Sequence, residues 1–289
     1  MERAKFRSWI IPLLPAFVLL GIFFILPAIW AVYISFTNMA LTGPTALHWE
    51  FVGLRNFFQI ASDNNFWTSL YVTLFFLFGC VIGQFGIGLL LAVYLKGKSA
   101  FTRFSVEALA IIAWVMPEVV GGFSWISFLS YPGGLANSLL NPLNLSQPWL
   151  FFHPLLSVTI ANIWHGTAFS LLMFIAALDG IPKEIIESAK IDGASPFKIF
   201  FNITLPLINT SILTDLILIT LFTMGEFTLV FTMTGGGPGM ATNLLSIYAY
   251  RQAFSFYNIS YGSAISIVML MVGMLISLFY VFSARKRQS

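Results

Sequence analysis

The sequence predicts an all-α polytopic membrane protein with six transmembrane helices and both termini on the cytoplasmic side. Three observations carry that reading. The 289 residues are 58% hydrophobic and 9% charged, whereas a soluble domain has about 25% charged residues. Six apolar stretches, nearly free of charge, are each long enough to cross roughly 30 Å of hydrocarbon. Twelve of the 14 Lys and Arg residues fall on one face of the topology those stretches define.

Taken in order, residues 1–8 are short and basic, and residues 9–36 form the first uncharged stretch. A cleaved signal peptide is the competing reading there, but its apolar core runs only about 7–15 residues. Residues 37–66 are polar and loop-like. Residues 67–95 form the second span and 96–105 a short basic connector. The third span covers 108–129, interrupted by Pro117 and Gly121-Gly122, and residues 130–152 are rich in Pro, Gly and Asn with no charge. The fourth span covers 154–178. A polar elbow at 181–206 leads into the fifth span at 206–233. A Gly-rich loop at 234–258 and a sixth span at 259–283 follow, and a basic tail closes the chain. There is no internal repeat and no soluble domain, so residues 1–289 read as one transmembrane domain.

The basic residues choose the side. Arg3, Lys5, Arg7, Lys96, Lys98, Arg103, Lys183, Lys190, Lys198, Arg285, Lys286 and Arg287 share one face, and only Arg55 and Arg251 fall on the other. The positive-inside rule then puts both termini and the elbow in the cytoplasm.

The elbow has its own local chemistry. Pro182 suits a first helical turn, where a missing N–H costs nothing. Gly193 follows Lys190-Ile191-Asp192 as a helix stop. Ser195-Pro196 combines a capping hydroxyl with a first-turn proline and opens a second helix. Ile185, Ile186 and Ala189 are spaced as an apolar strip, with Glu184, Glu187 and Lys190 at its edges.

This stretch resembles the EAA signature of ABC importer permease subunits, a pattern of EAA, then Gly, then I-x-LP. Glu187-Ser188-Ala189 stands at the first position, Asp192-Gly193-Ala194 follows, and Ile203-Thr204-Leu205-Pro206 closes it. Ser188 departs from the usual Ala but is also small. The segments Phe51-Val52-Gly53-Leu54-Arg55-Asn56-Phe57 and Thr234-Gly235-Gly236-Gly237-Pro238 are similar to the sugar-permease branch, the maltose, trehalose and glycerol-phosphate type. The resemblance implies the type I importer fold. It implies that Glu184, Ile185, Glu187, Ser188, Ala189, Asp192, Gly193 and Ala194 couple the chain to a cytoplasmic ATPase subunit. It also implies the partners: a second permease subunit, two ATPase subunits that use ATP and Mg, and an extracytoplasmic solute-binding protein that delivers a di- or oligosaccharide.

Neither glycine-bearing stretch reads as a nucleotide site. Ala92–Ser99 fits only a loosened phosphate-loop pattern, and its first four residues end a membrane span. A working loop needs a preceding strand and a helix N-terminus. Gly235–Gly239 lacks the following Lys-Ser/Thr. The chain therefore reads as a transport subunit that binds no cofactor and is not an enzyme. No residues have metal-ligand spacing, and the basic distribution tracks the membrane rather than nucleic acid.

Ionisable residues inside spans usually face a cavity, a partner or a pathway. Glu226, beside Phe222 and Phe227, suits a sugar: a carboxylate accepts hydroxyl hydrogen bonds while rings cover C–H edges. In similar permeases this part of span five lines the substrate cavity. An interhelical hydrogen bond or a subunit-interface contact is the alternative for Glu226. Glu118, at the Pro117 break, and Asn162 and His165, on span four, are further candidates for the substrate path, with a helix–helix hydrogen bond as the alternative for the histidine. Asp215 is a weaker one. Gly79-x-x-x-Gly83, with Gly86 and Gly88, reads as close helix packing, and Gln84 as a packing hydrogen bond. A gradient-driven transporter using Glu118, Asp215 and Glu226 as proton carriers, and a membrane-embedded enzyme, are the other function classes. Neither gives a reason for the elbow signature.

Overall fold

The computed structural model describes residues 13–288, and side chains through residue 283. Residues 9–12 of the expected first span, the basic residues Arg3, Lys5 and Arg7, and the side chains of Arg285, Lys286 and Arg287 lie outside the described residues. The described elements are helical, with one isolated antiparallel bridge between Thr37 and Phe51.

Four helices are long and apolar enough to cross a membrane: α1 (Leu13–Ser35), α4 (Asn64–Leu95), α9 (Pro154–Asp179) and α15 (Ile259–Gln288, apolar to Ser283). Two bent pairs supply the rest. Helices α5 (Ala100–Val115) and α6 (Glu118–Leu129) meet at 104°, and α11 (Pro196–Leu207) and α12 (Asn209–Met224) at 69°. The six expected spans are thus present only if each pair counts as one. The third is not a helix with a mild interruption. Met116 and Pro117 are extended, with ψ of 128° and 131°, because a proline pushes the residue before it out of the helical region. The fifth departs as well. It bends at Ile208, its helix stops at Met224, and a separate α13 (Thr228–Thr234) follows.

The expected loops carry short helices. Residues 37–66 hold α2 (Pro44–Leu47) and α3 (Arg55–Ala61). Residues 130–152 hold α7 (Leu135–Leu140), a 3-10 turn at Asn141–Leu143 and α8 (Trp149–Phe152). The Gly-rich stretch ends in α14 (Leu245–Tyr250) and a π-helical turn at Arg251–Ser255. The segment 130–152 needs no charge to hold its shape because Asn137, fully buried, uses both ends of its amide. Its Nδ2 donates to the carbonyls of Leu129 and Ser130, and its Oδ1 accepts from Ser146 Oγ, the Gln147 N–H and Trp149 Nε1.

The chain divides into two compact units. The first contains the described residues up to Phe66 and Tyr248–Leu270. Polar pins hold it. Asn56 Nδ2 donates to the carbonyls of Ser35 and Thr37 at 2.8 Å each, and the Thr37 and Ser260 hydroxyls lie 3.0 Å apart. Asp63 Oδ2 accepts from both Tyr248 and Tyr261. Only 6% of the most apolar stretch of α1 is buried, and 11% for α15, so these helices present apolar flanks outward, as lipid-facing helices do.

The second unit contains Trp67–Ile247 and the chain from Met271 onward. Here α4 lies close against α9. A Cβ at Gly79 would stand 3.0 Å from Thr159 Cγ2, one at Gly83 2.4 Å from Ile163 Cδ1, and one at Gly88 2.6 Å from Ser170 Cβ. Lipid tails are as apolar as leucine, so helices in a membrane associate largely through such close contact. Gly86 takes no part, since a Cβ there would meet nothing within 4 Å. Two apolar clusters fill the unit. One joins Phe76, Val158, Ala161, Leu229, Leu244 and Ile247. The other joins Leu95, Leu171, Phe174, Leu178, Ile181 and Ile208. Ile181 and Ile208 flank the elbow, so the second cluster clamps it at both ends.

Candidate functional site

The elbow follows its local chemistry. Helix α10 (Lys183–Ile191) begins after Pro182 and ends where Gly193 takes φ +78°, a conformation glycine adopts without steric cost. Ser195 Oγ accepts the Lys198 N–H at 3.3 Å and caps α11, with Pro196 in its first turn. The expected apolar strip does not form one outward surface. Ala189 is buried, Ile186 packs partly against the Leu178–Ile208 cluster, and Ile185 stays 39% exposed. The most exposed apolar side chain of α10 is Ile191, at 87%, a residue the strip spacing left out. Glu184, Glu187, Ser188, Asp192 and Gly193 are exposed, and Ala194 is half-buried. Ala92 and Leu95 close α4 in the buried core.

The polar residues of the spans converge. Glu118, Asn162, His165, Phe222, Glu226 and Phe227 all line one cavity of about 350 Å³. Helices α4, α5, α6, α9 and α12 and the break before α13 build it. Glu118 is the first residue of α6, just past the Pro117 corner. Glu226 and Phe227 sit in the break between α12 and α13. Asn162 and His165 are one turn apart on α9, and Gln84 reaches in from α4. Each carboxylate therefore stands at a helix break. Non-helical backbone at membrane depth is tolerated where it lines a cavity, so the breaks and the cavity are one feature.

The polar groups differ in how far they are satisfied. Glu226 is 8% exposed, and its Oε1 accepts the Leu229 N–H at 3.0 Å, which caps α13. The Ser246 hydroxyl donates to the Glu226 carbonyl. Gln84 Nε2 donates to the Asn162 carbonyl at 3.2 Å and lies over Gly166, where a Cβ would stand 2.4 Å from Gln84 Cδ. Gln84 is thus a packing hydrogen bond that also reaches the cavity wall. Asn162 is 4% exposed, yet its Nδ2 has no hydrogen-bond partner, and neither has His165 Nε2. Aromatic rings form the opposite chemistry. Trp114, Phe169 and Phe222 stand in file, with centroids 5.9 Å and 5.6 Å apart.

Asp215 lies elsewhere. It is fully buried and Ser170 donates to its Oδ2 at 3.2 Å. It does not line the cavity, so among the three acids of the spans only Glu118 and Glu226 share a site. Sequence reading also missed Gln84, Trp114 and Phe169 as cavity residues. The two rings are indistinguishable by sequence from the many Phe and Trp that face outward. Among the described residues no group of three His, Cys, Asp or Glu is placed to hold a metal ion.

Known proteins place this architecture. Residues 84–289 match the family described as binding-protein-dependent transport system inner membrane component. The trehalose/maltose transport system permease protein MalF of Thermococcus litoralis is 34% identical over 96% of this chain and 93% of its own length. The sulfoquinovosyl glycerol transport system permease protein SmoG of Agrobacterium fabrum is 32% identical over 93% of this chain and 87% of its own length. The sn-glycerol-3-phosphate transport system permease protein UgpA of Yersinia pestis is 33% identical over 92% and 90%. A solved bacterial ABC transporter for the acidic polysaccharide alginate contains a chain with the same fold, at a TM-score of 0.78 and 22% identity over 99% of this chain and 98% of that one. The chain belongs to the binding-protein-dependent transport system inner membrane component family and is an ABC transporter permease subunit, a multi-pass membrane protein rather than an enzyme.

Proposed function

We propose that this chain is the permease subunit of an ATP-driven importer for a di- or oligosaccharide in a bacterial or archaeal cell membrane, that the cavity at Glu226 is its substrate site, and that α10 is where it receives force. The single observation that carries the reading is the convergence of polar groups at two helix breaks on one cavity beside a file of aromatic rings. An extracytoplasmic binding protein delivers the sugar. Two ATPase subunits with bound ATP and Mg move α10, and the spans alternate between outward and inward access. The partner permease supplies the facing half of the pathway, because a six-span chain does not enclose a two-fold-related path alone. With its basic residues inside, the elbow stands on the cytoplasmic side, where an ATPase can reach it.

Chemistry and position support these roles. The cavity offers carboxylate acceptors, an amide donor and ring faces, the groups that hold a pyranose. Ile191, with Glu184 and Glu187, gives α10 an exposed apolar knob flanked by charge. Copurification of the chain with its neighbouring subunits, followed by a saccharide panel scored on ATPase stimulation, tests the reading. Stimulation by at least one saccharide, lost in Asn162→Leu, supports it. Stimulation by none of the panel sinks it.

A further inference from the structure

We propose that the cavity selects uncharged, hydroxyl-rich saccharides and that Glu118 and Glu226 are the residues that turn anionic sugars away. The inference rests on the cavity being the substrate site and names the class of substrate that site accepts.

Two acidic side chains line about 350 Å³ with no lysine or arginine among the described residues around it, and a single negative charge shared between them is enough to oppose an anion where no cation answers it. A sulfonate, phosphate or uronate entering such a space meets like charge in a medium less polar than water, where Coulomb repulsion is several times stronger than in bulk. The binding of acidic groups calls for the opposite, a planar guanidinium or an ammonium. The relatives of this chain divide on this point, since their names give trehalose and maltose for one, and sulfoquinovosyl glycerol and sn-glycerol-3-phosphate for the others. Overall similarity does not choose among them, whereas the charge of the cavity does.

Hydrogen-bond capacity narrows the class further. Asn162 is nine-tenths buried or more, and its Nδ2 carries N–H groups without an acceptor. Glu226 Oε1 is already engaged by the Leu229 N–H, but a carboxylate has about four lone-pair sites, so it keeps capacity for donors. The site thus asks for a ligand that accepts at Asn162 and donates at Glu118 and Glu226. An ammonium only donates and leaves the Asn162 amide unmatched. A sulfonate or phosphate oxygen only accepts and leaves the carboxylates unmatched. A hydroxyl does both. Trp114, Phe169 and Phe222 line the same cavity and supply aromatic surface for the C–H side of a sugar ring, which a small inorganic ion would not use.

The test uses the assembled transporter in lipid nanodiscs without its binding protein, so that the selectivity of the membrane site is read directly. Equilibrium binding is measured for trehalose, maltose and maltotriose, for trehalose 6-phosphate and maltose 6′-phosphate, and for 6-amino-6-deoxytrehalose. The probes of a pair share a scaffold and differ in charge. The expected result is that a neutral sugar binds at least tenfold tighter than its phosphorylated form, with the aminosugar no tighter than the neutral one. The Glu118→Gln, Glu226→Gln double variant narrows the neutral-over-phosphate preference severalfold. The amide placed at position 226 retains a carbonyl that accepts the Leu229 N–H, so α13 stays capped. A phosphorylated sugar that binds as well as its neutral partner, or a preference unmoved by the double variant, overturns the rejection of anions; an aminosugar that binds tighter overturns only the restriction to uncharged sugars; either result leaves the sugar importer standing. Binding of none of the probes overturns the charge assignment and the substrate-site reading together.

Discussion

Arg103 Nη2 lies 2.6 Å from Asp179 Oδ2, and its Nη1 reaches Asp179 Oδ1 at 3.3 Å, so the first turn of α5 grips the last residue of α9 with a two-pronged pair. The same arginine holds Glu107 through Nε at 2.7 Å. Beside it, Lys96 Nζ donates to the Leu178 carbonyl at 3.0 Å. The two cations tie the α4–α5 connector to the point where α9 hands over to the elbow. The Arg103 and Asp179 side chains are 34% and 47% exposed, and exposed pairs contribute about 0.2–1 kcal/mol. Arg103→Ala therefore shifts the melting midpoint of the purified complex by no more than about 2–4 °C. The expected functional effect is larger, since α10 loses its brace: transport per ATP hydrolysed falls while the basal ATPase persists. Unaltered stoichiometry in proteoliposomes would show that the grip is only structural.

The α4–α9 seam makes a second prediction with an internal control. At Gly88 a Cβ would stand 2.6 Å from Ser170 Cβ and 2.9 Å from the Leu171 backbone nitrogen. Backbone cannot swing aside, so Gly88→Ala forces the helices apart at a cost of about 1–3 kcal/mol. At Gly86 a Cβ meets open space, and Gly86→Ala is neutral or mildly stabilising, because alanine favours the helix. Melting midpoints in detergent decide it. Equal midpoints for the two variants would mean that the seam is looser than its distances imply.

The contrast between Gly86 and Gly88 also shows what the sequence makes legible. Four glycines on one apolar span announce close packing, but which of them face α9 depends on how α4 is rotated, a tertiary property. Local chemistry was readable where the residue decides its own backbone: Gly193 ends α10 and Ser195 caps α11, both from side-chain rules alone. The cavity was readable because a polar group in an apolar span is costly enough to need a reason, and Glu118, Asn162, His165 and Glu226 share that reason. Asp215 is as anomalous in sequence yet lies outside the cavity, since burial beside Ser170 and burial beside a cavity look alike in one dimension. The 104° corner at Pro117 was visible only as a proline. Its angle comes from the packing of α6, where a Cβ at Gly122 would stand 2.8 Å from Thr232 Cγ2 of α13. Arg103 and Asp179 are 76 residues apart, and nothing in either neighbourhood names the other.

Asp63 predicts a pH window for the first unit. Partial burial pushes its carboxyl up, but the hydroxyls of Tyr248 and Tyr261 and the Asn65 N–H outweigh that, and the net pKa falls below 3.8. Burial, and then the contact with Asp63, pushes the Tyr248 phenol up from 10.0. The signs are opposite in origin and consistent in effect. A depressed carboxylate contributes stability that is present above about pH 4 and lost as pH falls through its folded pKa. A raised phenol contributes stability that is present below about pH 10 and lost as pH rises through its folded pKa. The first unit, where Asp63 holds Tyr248 and Tyr261, is therefore most protected from proteolysis between those limits. In Asp63→Asn the loss on the acid side disappears from the pH profile of limited proteolysis. An acid limb that survives the substitution would assign it to other carboxylates.

The elbow yields the last prediction, because its two most telling residues act through different physics. Gly193 holds φ +78°, and a Cβ there would meet nothing within 4 Å. A side chain is thus penalised only by the backbone, by about 1–2 kcal/mol for most residues and less for asparagine, which visits this region. Gly193→Val weakens the α10 stop and lowers transport, and Gly193→Asn restores most of it. Ile191 is 87% exposed on the same helix, so Ile191→Asp costs the isolated subunit almost nothing, since an exposed position away from special features tolerates change within about 0.5 kcal/mol. If α10 docks on an ATPase, however, the aspartate buries a charge in an apolar contact, and copurification of the ATPase drops while insertion in the membrane is unchanged. The pair separates shape from contact: Gly193→Val impairs transport with the ATPase still bound, and Ile191→Asp impairs it by releasing the ATPase. Full ATPase retention and full transport in Ile191→Asp would move the docking surface off this end of α10 and onto Glu184 and Ile185.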